Sequence, residues 1–296
     1  MFTATLIAQP GTLDPALAEA LRNAWGGGDL VWLSPDEAAE FEMAAVPDTA
    51  DTSWNALQDQ GVDLTIQPSA GRRKKVLLAD MDSTMIQQEC IDELAEMAGV
   101  GAQVKDITAR AMNGELDFEG ALIARVGLLK GLPESVIDDV LNTRISLMPG
   151  GPVLLATMKA NGAYAALVSG GFTSFTARVA ATLGFDENRA NTLLTDDTML
   201  TGDVARPILG REAKVAALED VTKRLGLSET DVLAVGDGAN DLGMLQRAGS
   251  GVALHAKPSV QAQAKLRINH GDLTALLFLQ GYSRDAFVTP EDRALA

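Results

Sequence analysis

An α/β fold built on a parallel sheet is what this sequence predicts, on three observations. From residue 76 onward, short apolar runs alternate with longer amphipathic ones, as strands alternate with covering helices. The apolar runs, such as Val76-Leu77-Leu78-Ala79, are unbroken, which suits strands buried on both faces. Two of these runs end in acidic turns, Asp80-Met81-Asp82-Ser83-Thr84 and Gly236-Asp237-Gly238-Ala239-Asn240-Asp241, at the edge where open α/β sheets bind ligands.

The N-terminal segment reads differently. Thr5–Ala8 is expected as a strand, Pro15–Trp25 as a helix stopped by Gly26-Gly27-Gly28, and Leu30–Leu33 as a second strand. Ser34-Pro35-Asp36-Glu37 fits a helix start with a capping box and proline at the first position. Ala39–Met43 fits a strand equally well, because Phe41 and Met43 alternate with Glu40 and Glu42. With Val62–Ile66 as the last strand, the economical reading is a small βαββαβ α+β domain. Charge marks its end: residues 1–70 carry eleven acidic side chains and one basic one, Arg22. Pro68-Ser69-Ala70-Gly71 then reads as a linker into the basic run Arg72, Arg73, Lys74, Lys75. The expected domains are therefore 1–71 and 72–296.

In the second domain the core strands are expected at 76–79, 165–168, 232–235 and 251–254, and helices at 175–183, 212–225 and 241–248. Gly184 and Gly226 fall at helix C-caps. The stretch from about 88 to 147 breaks the alternation and reads as four helices, at 90–98, 102–112, 118–130 and 133–142. Inserted just after the first core strand, it is placed to cap the sheet's carboxyl edge.

Composition limits the function classes. The chain has 296 residues, 47% hydrophobic and 22% charged, which are globular values. A net charge of −16 lacks the basic footprint of a nucleic-acid binder. No apolar run approaches the ~20 residues of a membrane span, and the N-terminus has no signal-peptide pattern, so a cytoplasmic protein is expected. Cys90 is the single cysteine, and His255 and His270 are too few for a zinc site and are expected to be structural.

The chemistry sits in four places. Asp80 and Asp82, at i and i+2 on a strand end, project to one side, where a carboxylate pair can hold Mg²⁺ or supply a nucleophile. Alone, the pair would serve equally as an acidic turn. Asp237 and Asp241 add oxygens on a glycine-bearing turn. Ser169-Gly170-Gly171 offers a hydroxyl and backbone N–H groups to an anion. Lys214, near the start of its helix, is placed against the usual charge preference unless it faces an anion. No chemical constellation lies in residues 1–70.

In chain order, Asp80-x-Asp82, Ser169, Lys214 and Gly236-Asp237-x-x-x-Asp241 resemble the four motifs of the haloacid dehalogenase-type phosphohydrolases. With Glu89, Gly114-x-x-x-Phe118, Arg125-Val126-x-Leu128-Leu129 and Val168-Ser169-Gly170-Gly171-Phe172 added, residues 76–280 are similar to the phosphoserine phosphatase branch of that family. The resemblance implies a Rossmann-like sheet, Mg²⁺ as cofactor, and phosphoserine hydrolysis through an aspartyl-phosphate as the last step of serine biosynthesis. It implies Asp80 as nucleophile and Asp82 as general acid and base. It gives Asp80, Asp82 (through its main-chain carbonyl) and Asp237 to the metal, and Ser169, Gly170 and Lys214 to the phosphate. Glu89, Met112, Phe118, Arg125 and Asn240 fall to the substrate, with Asp241 behind them holding Lys214 or a metal-bound water; for Asn240 an N-cap role is equally consistent. The first domain resembles ACT-like regulatory regions in length and element order only. A homodimer stays open. So do a related phosphatase or phosphotransferase acting on phosphothreonine or phosphohomoserine, and an amino-acid-binding regulator with a vestigial phosphatase domain.

Overall fold

The protein is described here by a computed structural model covering residues 1–112 and 115–294. The N-terminal part runs β1 (Phe2–Ile7), α1 (Pro15–Ala24), β2 (Val31–Ser34), β3 (Ala38–Met43), α2 (Ala50–Gln58) and β4 (Asp63–Pro68), the βαββαβ order the sequence predicts. Its sheet is antiparallel in the order β2-β3-β1-β4. The ambiguous segment resolves as a strand. Ser34 Oγ donates to Glu37 Oε2 at 2.6 Å across a tight turn in which Asp36 has φ 50°, so no helix starts there. One face of the sheet packs Leu6, Phe41 and Leu64 under α1 and α2.

The larger part follows with β5 (Val76–Ala79), then four helices α3 (Cys90–Met97), α4 (Gly101–Met112), α5 (Phe118–Gly127) and α6 (Ser135–Thr143). Next come α7 (Gly151–Ala160), β6 (Tyr164–Phe172), α8 (Thr173–Leu183), β7 (Glu187–Asn191), and the hairpin β8 (Leu193–Asp196) and β9 (Met199–Val204). The chain ends with α9 (Arg211–Leu225), β10 (Val232–Gly236), α10 (Leu242–Arg247), β11 (Ser250–Leu254), α11 (Pro258–Gln261), β12 (Leu266–Ile268), α12 (Ala275–Leu279) and α13 (Pro290–Ala294). Gly184 and Gly226 do close their helices, with φ of 85° and 66°.

Six parallel strands form the main sheet in the order β12-β11-β10-β5-β6-β7. Successive side chains on β5 feed opposite layers. Val76 and Leu78 pack with Leu218, Val221 and Leu245 of α9 and α10, and Leu77 and Ala79 with Leu155, Phe175 and Leu276 of α7, α8 and α12. The chain goes to β6 on one side of β5 and returns to β10 on the other, which opens a switch-point crevice at the carboxyl edge. Helices α3–α5 lie over that crevice, with α6 packed against α3 and α8. Hairpin β8–β9, which the sequence did not announce, pins them: Gly131 N donates to Leu200 O and Glu134 N to Thr198 O, each at 2.8 Å. Among the described residues no helix is long and apolar enough to cross a membrane.

Candidate active site

Parallel register brings the acidic turns together. Ala79 pairs with Val235 on one side and Leu167 on the other, so Asp80 and Asp82, Asp237, and Ser169 leave three adjacent strands at one edge. Asp80 N donates to Val235 O at 3.0 Å, locking the first turn to the last turn of β10. Beyond it, Ser83 sits in the left-handed region (φ 52°) and swings the chain back toward the cap.

Beneath the crevice Lys214 is buried and bridges two carboxylates, with Nζ 2.7 Å from Asp80 Oδ2 and 2.5 Å from Asp241 Oδ1. Its unfavourable helix position is thus answered by anions. Burial alone would lower the lysine's pKa, but the charges of Asp80 and Asp241 win and raise it. Asp80 Oδ1 accepts from Met81 N at 2.7 Å. Burial, and after it the nearby Asp241, pushes the Asp80 carboxyl well up against the pull of Lys214. Burial likewise raises Asp82, whose Oδ1 accepts from Cys90 N at 3.0 Å and Oδ2 from Ser169 Oγ at 3.3 Å. Asp237 accepts from Thr84 Oγ1 at 3.3 Å and is pushed up to about 6 by burial and by Asp241.

Carboxylate oxygens of Asp80, Asp237 and Asp241 lie within 4.8 Å of one another. Counting Asp82, four acids crowd around the Lys214 ammonium, and burial raises the pKa of Asp80, Asp82 and Asp237, so a bound cation would relieve the cluster. An all-oxygen set of this kind fits a hard divalent cation such as Mg²⁺. Asp241 is nearer the cluster than the sequence reading placed it, although it also holds Lys214 as expected. Its Oδ2 accepts from Gly238 N at 3.0 Å, and Asp241, not Asn240, stands at the N-cap position of α10, with no capping bond from its side chain.

Between this edge and the cap lies a cavity of about 740 Å³. Asp80, Asp82, Gly170, Asp237 and Asn240 line its floor, and Glu89, Phe118 and Arg125 its roof. Glu89 accepts from Ser83 Oγ at 2.7 Å; burial and then the charge of Asp82 raise its pKa to about 7. Arg125 Nε donates to Ala121 O at 3.2 Å. Burial lowers the Arg125 pKa against the pull of Asp92, Glu89 and Asp82. Met112 closes α4, but its side chain, like Gly114, lies outside the described residues. One expectation needs correction. The strand carrying Ser169 does not end at Val168: β6 continues to Phe172, and Gly171 N donates back to Ser169 Oγ at 2.8 Å. Asp92, Thr108, Lys257 and Ser259 also line the cavity and were missed. For Lys257 and Ser259 the available signal was their place just after β11, at the same carboxyl edge.

The model of the haloacid dehalogenase-like hydrolases matches residues 77–246. The chain belongs to that family. A haloacid dehalogenase family hydrolase from Salmonella enterica serovar Typhi superposes with a TM-score of 0.85 at 32% identity, covering 94% of this chain and 97% of that one. More particularly, the phosphoserine phosphatase of Haemophilus influenzae is 46% identical over 204 residues, 69% of this chain and 65% of its own length. The chain thus spans a little under two thirds of that relative. A solved phosphoserine phosphatase with a phospho-aspartyl intermediate analogue has a TM-score of 0.65 at 41% identity, covering 70% of this chain and 98% of that one.

Proposed function

We propose that the chain hydrolyses O-phospho-L-serine to L-serine and phosphate, with Asp80 as the nucleophile. The observation that carries this reading is one cavity with the carboxylates of Asp80, Asp82 and Asp237 on its floor, Lys214 buried behind Asp80, and Glu89 and Arg125 on its roof. The first half reads a phosphoryl group, and the second reads an amino acid's ammonium and carboxylate. Relatives named phosphoserine phosphatase support the same substrate. A cytoplasmic site of action and the division at residues 71/72 belong to this reading.

Asp80 attacks phosphorus in line with the serine oxygen, forming an acyl phosphate as the phosphorus–serine bond breaks. Asp82, whose raised pKa lets it hold a proton, gives that proton to the leaving alkoxide. It then takes one from the water that attacks phosphorus and frees Asp80. Ser169, the Gly170 N–H and Lys214 hold the equatorial oxygens, where transition-state charge collects. Mg²⁺ would be held by Asp80, Asp237 and the Asp82 carbonyl, with the Asp241 carboxylate beside them, and would supply charge neutralisation. Glu89 takes the substrate ammonium and Arg125 its carboxylate, while Phe118 keeps water from the cavity.

The test compares phosphoserine with p-nitrophenyl phosphate, which has neither ammonium nor carboxylate. Arg125→Ala and Glu89→Gln should each cut kcat/KM for phosphoserine by about ten- to hundredfold, the cost of a lost charged hydrogen bond. Hydrolysis of p-nitrophenyl phosphate should change far less. Parallel loss on both compounds in folded protein, or a preference for phosphothreonine or phosphohomoserine, would sink the assignment.

A further inference from the structure

Strand β6 is irregular at the point where it enters the site. Its pairing with β7 runs to Val168↔Arg189 and resumes only at Phe172↔Asn191. Ser169, Gly170 and Gly171 therefore bulge away from the ladder at the half-buried wall of the cavity, and their backbone groups need other partners. One side chain takes the Gly170 carbonyl and ties it to a second segment. Asn191 is 2% exposed; its Nδ2 donates to Gly170 O at 2.8 Å and to Leu209 O at 3.0 Å, and its Oδ1 accepts from Leu209 N at 2.7 Å.

Both groups tied by Asn191 bear on the reaction. Fixing the Gly170 carbonyl fixes the plane of the Gly170–Gly171 peptide, whose N–H donates to Ser169 Oγ at 2.8 Å. Ser169 Oγ in turn donates to Asp82 Oδ2 at 3.3 Å. A hydrogen-bonded line thus runs from Asn191 to the proposed general acid. On the other side Leu209 leads into Gly210. A Cβ at Gly210 would stand 3.1 Å from the Phe118 ring, and one at Gly170 3.2 Å, so the cap's phenylalanine rests against two glycines. Asn191 holds the two loops that carry them.

We infer that Asn191 is a positioning residue: it orients the Gly170–Gly171 peptide, and so Ser169 toward Asp82, while spacing the two loops that seat Phe118. The inference rests on the phosphatase reading above and deepens it. It concerns the phosphoryl half of the cavity, so its effect extends to any phosphomonoester.

Asn191→Ala removes all three bonds. Asn191→Asp keeps the volume and the acceptor for Leu209 N but sets a carboxylate against two carbonyl oxygens. Melting curves and circular dichroism establish folding, and kcat and KM are then measured well below the melting temperature with phosphoserine and p-nitrophenyl phosphate. The expected result is a fall in kcat of at least about tenfold on both compounds for both variants. A side chain that merely supported the sheet would lower the melting temperature and leave kcat per folded molecule unchanged. A smaller fall, or a fall with phosphoserine alone, overturns the inference. So does failure of both variants to fold, which would assign Asn191 to stability. If the parent protein cleaves only p-nitrophenyl phosphate, the substrate assignment fails and the Asn191 comparison still reads on that compound.

Discussion

Crowded carboxylates around a single buried lysine set the chemistry at the residue scale. Asp80→Asn keeps the shape of the nucleophile and removes its charge. Turnover should vanish, while the melting temperature of metal-free protein holds or rises, since one of the crowded acids is gone. Residual Mg²⁺-dependent release of phosphate above about 1% of the parent's would take the role from Asp80. The cation itself should be pH-sensitive. Asp237 titrates at about 6 instead of its ordinary 3.8, and it binds a cation only as the carboxylate. Its proton is held more tightly in the folded than in the unfolded chain, so in metal-free protein its stabilising contribution is full below 3.8 and lost as pH rises through about 6. Mg²⁺ should therefore raise the melting temperature most above pH 6 and progressively less below it. A Mg²⁺ effect that is flat between pH 5 and 8 contradicts this.

At the scale of elements, the site depends on strands and helices approaching closely enough to place short side chains. Helix α10 carries Asp241 at its N-cap and packs on β11 through Gly251, where a Cβ would lie 1.8 Å from Leu245 O. A backbone carbonyl cannot swing aside as a side-chain tip can. Gly251→Ala should cost roughly 3 kcal/mol or more, through forced backbone shifts. Mg²⁺ affinity should fall with it, because Asp241, which holds Lys214 and lies beside the carboxylates of Asp80 and Asp237, moves with α10. Thermal melts with and without Mg²⁺ check both. Much at this scale was legible in advance. Unbroken runs such as Val232–Val235 marked buried strands, and turn chemistry after them marked the floor of the site. Helices α3–α6 were legible because their apolar spacing replaces the strand pattern. Hairpin β8–β9 was not, since Leu194 and Met199 are exposed and no period-2 apolar face announces it. Asn191 was invisible for a different reason: its meaning lies in a register break between two strands.

For the whole molecule, the charge shift near residue 71 reads as a domain boundary, and in the structure the segments on either side of it are firmly attached. Ile7, Leu33 and Ala38 belong to the same apolar core as Leu276 and Leu279 of α12. Asp63, fully buried, accepts from Asn269 N, His270 N and Gly271 N at 2.8, 2.9 and 2.8 Å. Burial pushes its pKa up, and those three bonds pull it back. Gln67 Nε2 donates to Leu279 O at 2.7 Å, Arg72 grips Glu40 at 2.6 and 3.0 Å, and Arg284 reaches Glu37. Most of these pairings span some 200 residues and leave no local pattern, so the sequence carries no sign of the bonds that join the two segments. Two consequences separate chemistry from stability. Asp63→Ala strands one buried and two half-buried N–H groups, a loss of roughly 3 kcal/mol, and should lower the melting temperature by about 6–12 °C at 2–4 °C per kcal/mol. Its kcat at low temperature should stay within about twofold, because no residue before Asp80 lines the catalytic cavity. A variant beginning at Arg72 loses Asp63 and the apolar cover together. It should aggregate or bind a hydrophobic dye on mild warming, yet keep its kcat while folded in the cold. A truncated protein that melts like the parent would show the attachment to be energetically idle. One that is folded and monodisperse but inactive would show that the first 71 residues complete the site.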